Sequence, residues 1–315
     1  MIHFSIVMPL YNKAPYVRKS VKSVVGQTYD DWELIVVDNG STDGSGEVVA
    51  SCHDPRIKML HLKENIGPGA ARNHGVAEST AAHICFLDAD DWWEPTFLEE
   101  MAGLVERHPG AGIYGTGYYI VKNGRKRVAP IGVEEGFTEG EINYCQVYAR
   151  TLCMPLTSIS VCMPRTVFDE AGGFPTDVRL GEDFLLWLRI ALTHKAVLLN
   201  RPLANYNQDV AVAFRGTHHL HPPEQNMLWH LDDWAAFETD NADYKQLVDN
   251  LRTYSLMNYL LDRRYRTAAR QELAKVDWRR QPTSVRRQYR LPVWMLKLKQ
   301  HMLKAGSRIK QHLVR

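Results

Sequence analysis

The chain has 315 residues, of which 45% are hydrophobic and 23% charged, with a formal net charge of +2; this ordinary globular composition excludes a fibrous repeat or an intrinsically disordered chain. The length suits one α/β domain of about 200–250 residues with an appendage. The five cysteines (Cys52, Cys85, Cys145, Cys153 and Cys162) are odd in number and lack a CxxC pair. They suggest neither a disulfide framework nor a zinc site and fit a reducing, cytoplasmic compartment.

Apolar runs at 4–9, 33–38, 58–62 and 84–87 read as strands, and helix-like segments follow them at 16–27, 44–51, 69–78 and 96–107. This alternation predicts βαβ units and a mainly parallel, Rossmann-like sheet flanked by helices. The runs SIVM, LIVV and ICFL are continuously apolar, as strands covered on both faces require. The first run starts almost at the initiator methionine, so no signal peptide is expected. Residues 110–207 are less regular and richer in aromatic residues and proline; they read as the remaining strands. The uncharged stretch 151–163 is broken by Pro155 and is too short to cross a bilayer, which takes about 20 residues. After Pro222 the pattern turns helical, with candidates at 226–237, 244–261 and 265–276 and two further stretches beyond Pro282.

Polar residues gather where the strand-like runs end, the edge at which open α/β sheets bind ligands. The strongest group is LDADD at 87–91. Asp88, Asp90 and Asp91 repel one another unless a cation lies between them, which calls for a hard divalent ion, Mg2+ or Mn2+. Alternate residues of an extended segment point the same way, so Asp88 and Asp90 converge on one metal. An isolated DxDD is more often a set of turn carboxylates ahead of a helix, but here two further strand ends supply matching chemistry. They are PLYN at 9–12 and VDNGSTD at 37–43. A nucleoside needs an aromatic face for its base and acceptors for its ring N–H and ribose hydroxyls, and Tyr11, Asp38 and Asn39 offer these. Taken singly, DNGSTD is a turn leading into a helix N-cap, and Tyr11 a core aromatic.

The segments SIVMPLYN, ELIVVDNGSTD, NIGPGAARNHG and FLDADDWWEP, followed by GEDFLLWLR from Gly181, occur in the order and spacing of glycosyltransferase family 2, which the first 200 or so residues resemble. The resemblance implies a GT-A fold over 1–221, with a nucleotide-binding half (1–110) and an acceptor-binding half (111–221), and a helical region at 222–315. It also implies an inverting hexosyl- or N-acetylhexosaminyl-transferase with a nucleotide-diphosphate-sugar donor, a UDP-sugar above all. The acceptor would be a lipid-linked or cell-surface glycan, as in polysaccharide or lipopolysaccharide biosynthesis. The implied donor contacts are Pro9, Tyr11, Asp38, Asn39, Arg72, Asp88 and Ala89, with Asp88 and Asp90 holding the metal. Asn39 stands where the family usually has Asp, and its amide keeps uridine compatible by accepting from a ring N–H and donating to the neighbouring carbonyl. Arg72 matches the family arginine near the nucleotide; the alternative is a surface helix arginine paired with a carboxylate.

The same resemblance makes Gly181-Glu182-Asp183 the motif of the catalytic base, with Asp183 in that role and Glu182 in reserve. Acids in a first helical turn otherwise serve the helix dipole. A base is required because the acceptor hydroxyl must lose a proton as it attacks the anomeric carbon. His218 and His219 are candidates for the diphosphate or metal shell, and Trp92 and Trp93 for the sugar pocket or the core. A nucleotidyltransferase would also combine a sheet with metal carboxylates, but SIVMPLYNKAP is not the glycine- and basic-rich loop that grips a triphosphate. A non-catalytic nucleotide-sugar module would need neither carboxylate motif intact.

Residues 278–315 contain eleven Lys or Arg and no Asp or Glu, leaving about −9 on the first 277. Leu291, Met295, Leu298, Met302, Ala305, Ile309 and Leu313 fall at three- and four-residue steps, with Lys297, Lys304, Arg308 and Lys310 between them. That pattern fits one apolar helix face from Leu291 onward within a basic tail, 283–315, packed on a protein surface or lying on an anionic membrane; the absence of acids favours the membrane and a peripheral place on its inner face. No motif for RNA or DNA accompanies the charge, so nucleic-acid binding is disfavoured.

Overall fold

Four parallel strands carry the first third of the chain: β1 (Phe4–Leu10), β2 (Trp32–Asp38), β3 (Ile57–His61) and β4 (His83–Phe86). In the computed structural model, which describes residues 2–211, 220–234, 236–237, 241–300 and 302, these are four of the strands of a ten-stranded sheet within the unit Met1–Met227. Burial on both faces explains their composition: Phe4, Ile6, Val7, Met8 and Leu10 of β1 are all enclosed. The intervening helices are α1 (Val17–Val25), α2 (Ser45–Ala50), α3 (Pro68–Ala77) and, beyond a two-residue strand, α4 (Phe97–Arg107). Helix α1 buries Val17, Val21 and Val24, spaced to share one face, each stabilising the fold by about 1.5–3 kcal/mol on transfer from water. Helix α3 reaches the sheet even more closely, because Gly75 has no side chain and a Cβ there would lie 2.4 Å from Val7 Cγ1.

The rest of the sheet is mixed. Its strands are β5 (Trp92–Trp93), β6 (Ile113–Lys122), β7 (Arg125–Val128), β8 (Glu139–Ile142), β9 (Val161–Pro164) and β10 (Ala196–Asn207), in the order β3-β2-β1-β4-β9-β6-β10-β5, with β7 beside β6 and β8 beside β10. Strand β9 enters antiparallel between β4 and β6, while β10 runs parallel to β6 with register shifts between Leu199 and Ala204. The irregularity divides the free edge of β10, so that β8 pairs with Ala196–Leu199 and β5 with Ala204 and Asn205. Helices α5 (Tyr144–Thr151), α6 (Arg165–Glu170) and α7 (Glu182–Thr193) complete this unit.

The helix expected over 226–237 is not formed across residues 226–234. Instead, 3-10 turns occur at Pro223–Gln225, Met227–Trp229 and Leu231–Trp234. Pro222 and Pro223 cannot donate backbone hydrogen bonds, and the following backbone is used sideways. Arg179 N–H donates to the Gln225 carbonyl (2.8 Å) and Met227 N–H to the Leu180 carbonyl (3.0 Å), which ties the segment to the approach of α7 as a bridge between Leu180 and Asn226.

The second unit, Leu228–Arg315, contains α8 (Ala242–Leu261), α9 (Arg266–Ala274) and α10 (Thr283–Tyr289), followed by helical residues 293–300. Asn241 caps α8 by accepting from Tyr244 N–H at 2.9 Å. Buried Arg252 joins the elements of this unit by donating to Asp232 (2.5 Å) and Glu272 (3.2 Å). Among the described residues, no helix is long and apolar enough to cross a membrane.

Candidate active site

Parallel strands end on one edge, so β1, β2 and β4 deliver Tyr11, Asp38 and Asp88 to the same side of the sheet. The loop after β1 is stitched to the loop after β2. Asn12, in the left-handed region at φ 50°, accepts from Thr42 N–H (2.9 Å), and its own N–H donates to Ser41 Oγ (3.1 Å). Lys13 N–H donates to Ser45 Oγ at 2.8 Å. This holds Tyr11 in place with 43% of its surface exposed, a displayed aromatic and not a core one.

Asp38 is buried; its Oδ1 accepts from Ser41 N–H (2.9 Å) and its Oδ2 lies 3.4 Å from His61 Nδ1. The neighbouring Asn39 is committed to the chain itself. Its carbonyl accepts from Ile66 N–H (2.9 Å) and its amide donates to Asn65 Oδ1 (3.0 Å) and the Gly67 carbonyl (3.2 Å). Asn39 thus shapes the turn at Gly67, φ 94°, where α3 begins with Pro68.

From α3 comes the residue that joins the two acidic motifs. Buried Arg72 donates through Nη2 to Asp88 Oδ1 (2.6 Å) and through Nη1 to Glu182 Oε1 (3.0 Å), with its guanidinium 5.3 Å from the Phe174 ring centre. Asn73, next along the helix, exchanges two hydrogen bonds with the Phe174 backbone (2.8 and 2.9 Å). Burial works against the Arg72 charge, but Asp88 and Glu182 outweigh it and raise its pKa.

At the start of α7, Gly181 takes φ 84°. Burial, then the charge on Asp183, pushes Glu182 up to about 7 against the pull of Arg72. Burial also raises Asp183 above the usual carboxylate range, opposed by Arg72 and by hydrogen bonds from Phe184 N–H (2.8 Å) and Ser158 Oγ (3.2 Å). Asp183 is the more open of the two to solvent, whereas Glu182 is buried against Arg72.

The 88–91 turn divides its carboxylates by role. Half-buried Asp90 lies 2.5 Å from Lys13 Nζ; burial raises its pKa, with Lys13 opposing and Asp88 adding to the rise. Asp91 is buried and accepts from Asn207 N–H at 2.7 Å. Asn207 Nδ2 also donates to the Asp90 carbonyl (3.0 Å) and Asn205 Nδ2 to the Trp92 carbonyl (3.1 Å). Pro9 lies in β1 opposite Val37, and Ala89 is buried in the turn. Trp93 is a core residue, stacked on Phe97 at 4.1 Å and donating from Nε1 to the Ile159 carbonyl (2.7 Å). Trp92 is half-buried beneath the Lys19 ammonium. His218 and His219 lie outside the described residues.

Among the described residues, no three His, Cys, Asp or Glu side chains form a metal cage. Asp88 and Asp90 nonetheless fit Mg2+ or Mn2+, hard ions that are commonly held by one or two carboxylates and completed by phosphate oxygens. Lys13, Asn205, Asn207 and Ser158 were not singled out in the sequence. Only Lys13 had a local signal, since it directly follows the PLYN segment.

A family model described as Glycosyl transferase family 2 matches residues 5–160. The chain is 33% identical over 188 residues to the uncharacterized glycosyltransferase RC0461 of Rickettsia conorii, covering 59% of this chain but only 30% of that protein. It is also 31% identical over 199 residues to WfgD of Escherichia coli, a UDP-Glc:alpha-D-GlcNAc-diphosphoundecaprenol beta-1,3-glucosyltransferase, covering 62% of this chain and 72% of WfgD. The chain belongs to glycosyltransferase family 2. Its fold matches S. aureus TarS, solved in complex with UDP-GlcNAc, with a TM-score of 0.68 at 20% identity over 82% of this chain and 75% of that one. Four of the segments that carried the resemblance, SIVMPLYN to FLDADDWWEP, fall within the matched residues, and the central sheet flanked by helices is the fold shared with TarS.

Proposed function

We propose that the chain is an inverting, metal-dependent glycosyltransferase that moves a sugar from a UDP-sugar to a hydroxyl of a lipid-linked or cell-surface glycan acceptor. The observation that carries this reading is the Arg72 bridge: one buried guanidinium touches both Asp88 and Glu182, so the charged donor end and the base motif belong to a single site. The WfgD name, with its UDP-Glc donor and diphosphoundecaprenol acceptor, and the UDP-GlcNAc complex of TarS support the donor and acceptor classes.

Tyr11 stacks on the base, and Asp38 accepts from the ribose or the base. Asp88 and Asp90 hold the divalent ion, which when bound neutralises charge developing on the departing diphosphate. Lys13 and Arg72 keep these carboxylates oriented. Asp183 takes the proton from the acceptor hydroxyl as that oxygen attacks the anomeric carbon from the face opposite the diphosphate. Its raised pKa makes it a stronger base than an exposed aspartate. Glu182 orients Arg72. Thermal-shift titration with nucleotide-diphosphate sugars, with and without Mn2+, tests the donor assignment. The expected result is a metal-dependent rise in Tm with one UDP-sugar; equal responses to all nucleotides, or to none, would remove the basis for it.

We propose further that 1–221 is the transferase domain and that the basic segment 283–315, of which Lys304, Ala305, Arg308, Ile309, Lys310 and Leu313 lie outside the described residues, rests on the anionic inner face of a membrane. Trp294, Leu298 and Met302, at four-residue steps, are 67%, 54% and 60% exposed, and no acid interrupts the surrounding charge. Serine at these three positions should release the chain from phosphatidylglycerol vesicles, and unchanged cosedimentation would refute the attachment.

A further inference from the structure

The second unit contains a cavity of about 580 Å3, well within the size of small-molecule sites. Its walls come from α8, α9, α10 and the turn that follows. Leu273, Trp278 and Val293 form apolar lining, and Arg270, Arg286 and Arg290 add three guanidinium groups. The wall is fixed in place: the Tyr289 hydroxyl donates to the Thr253 carbonyl at 2.6 Å, and the Trp278 and Tyr289 rings meet at 5.3 Å.

Ion pairs within this unit occupy other basic residues and leave the three cavity arginines out. In the same unit, Arg252 is paired with Asp232, Arg264 with Asp262 and Lys275 with Glu272. Arg270, Arg286 and Arg290 have no carboxylate partner among the described residues. Cations beside an apolar cavity without an internal counter-ion suit a ligand that brings its own anion and an apolar body. Guanidinium is weakly hydrated and engages phosphate oxygens bidentately.

We infer that this cavity binds the phosphate-bearing end of a hydrocarbon chain, with the phosphate or diphosphate at the three arginines and the first carbons against Leu273, Trp278 and Val293. Such a ligand is either a lipid carrier drawn from a membrane or a free prenyl phosphate. The site goes beyond the donor assignment and does not rest on it, because every lining residue lies outside the unit that holds Asp88 and Asp183.

The test uses the whole chain in isothermal titration with farnesyl phosphate below its micellar concentration, with inorganic phosphate, pyrophosphate and farnesol as partial ligands. Farnesyl phosphate should bind one to one and more tightly than any of the three. Replacing Arg270 and Arg286 together by Gln should weaken it by about tenfold per guanidinium lost. Ala274→Phe, which fills the cavity from its wall, should abolish it while leaving the arginines in place. Both variants should keep wild-type donor binding, and Asp183→Asn should keep wild-type farnesyl phosphate binding. Phosphatidylglycerol vesicles and nanodiscs carrying a prenyl phosphate separate the sources, a carrier in the bilayer giving retention that Ala274→Phe removes. Equal affinity for farnesol and farnesyl phosphate overturns the inference, as does unchanged binding in both variants. Vesicle binding without farnesyl phosphate binding also overturns it, since surface charge alone would then explain the basic segment. A chain ending at residue 300 that gains binding the full chain lacks would make the chain's own end the occupant.

Discussion

Replacing Asp183 by Asn keeps the shape of the site and removes the charge on which the proposed chemistry depends. Asp183 accepts from Phe184 N–H and Ser158 Oγ; an Asn side chain retains the first bond through its carbonyl, and the Ser158 hydroxyl turns to accept from the amide. Burial and the neighbouring acid charges oppose ionisation of Asp183, so the neutral substitute should hold or raise Tm. The donor contacts at Tyr11, Asp38 and Asp88 are untouched, so donor affinity should stay within about twofold, well under the tenfold that 1.4 kcal/mol produces. The loss falls on the chemical step. A positioned general base contributes about 10²–10⁴-fold, which at 1.36 kcal/mol per decade is roughly 2.7–5.4 kcal/mol of barrier. Single-turnover transfer at saturating donor and Mn2+, alongside a donor titration, measures the two effects separately. A variant that turns over near the wild-type rate, or loses donor affinity and rate by the same factor, refutes Asp183 as the base.

Glu182 and Asp183 face Arg72, with Asp88 beyond it, and both acids have raised pKa values. The folded state therefore keeps a proton that the unfolded state has released, and this pair's stabilising contribution is lost as pH rises through the folded value, about 7 for Glu182. Activity runs the other way: kcat/KM should climb with pH as Asp183 ionises, later than an exposed aspartate would, while wild-type Tm falls relative to Glu182→Gln, and parallel Tm curves would contradict the shift. Gly75→Ala gains about 0.8–1.0 kcal/mol of helix propensity but places a Cβ 2.4 Å from Val7 Cγ1. Overpacking costs about 1–3 kcal/mol, so denaturant unfolding should show a net loss of stability; a gain would mean that α3 shifts freely. Asp88→Asn and Asp90→Asn should each raise the Mn2+ concentration for half-maximal donor binding by more than the roughly 10–100-fold typical of losing an outer-shell partner, and an unchanged requirement would place the metal elsewhere.

The first four strands and the polar groups at their ends could be read from the sequence because each is a local pattern: an apolar run followed by turn residues. The connections among those groups are not local. Arg72 and Glu182 are 110 positions apart, and only the packing of α3 beside α7 brings them together. Asn39 offered an amide suited to a base, yet the turn at 65–67 uses every polar atom of that amide; the competition became visible only once the turn had a position. Residues 226–237 have helical spacing, but at their start backbone pairing with Arg179 and Leu180 prevails over propensity after the two prolines. The antiparallel insertion of β9 had no short-range signature, because a four-residue strand carries too little pattern to fix its direction.

Asp91 ends in the grip of Asn207, so the DADD turn is finished by a strand more than a hundred residues downstream. A fragment cut where the family match stops, at residue 160, would keep every carboxylate of that turn and lose the backbone N–H that Asp91 is buried against. Its acids would then repel one another without a fixed geometry. The smallest piece able to present an ordered DADD turn extends at least through Asn207.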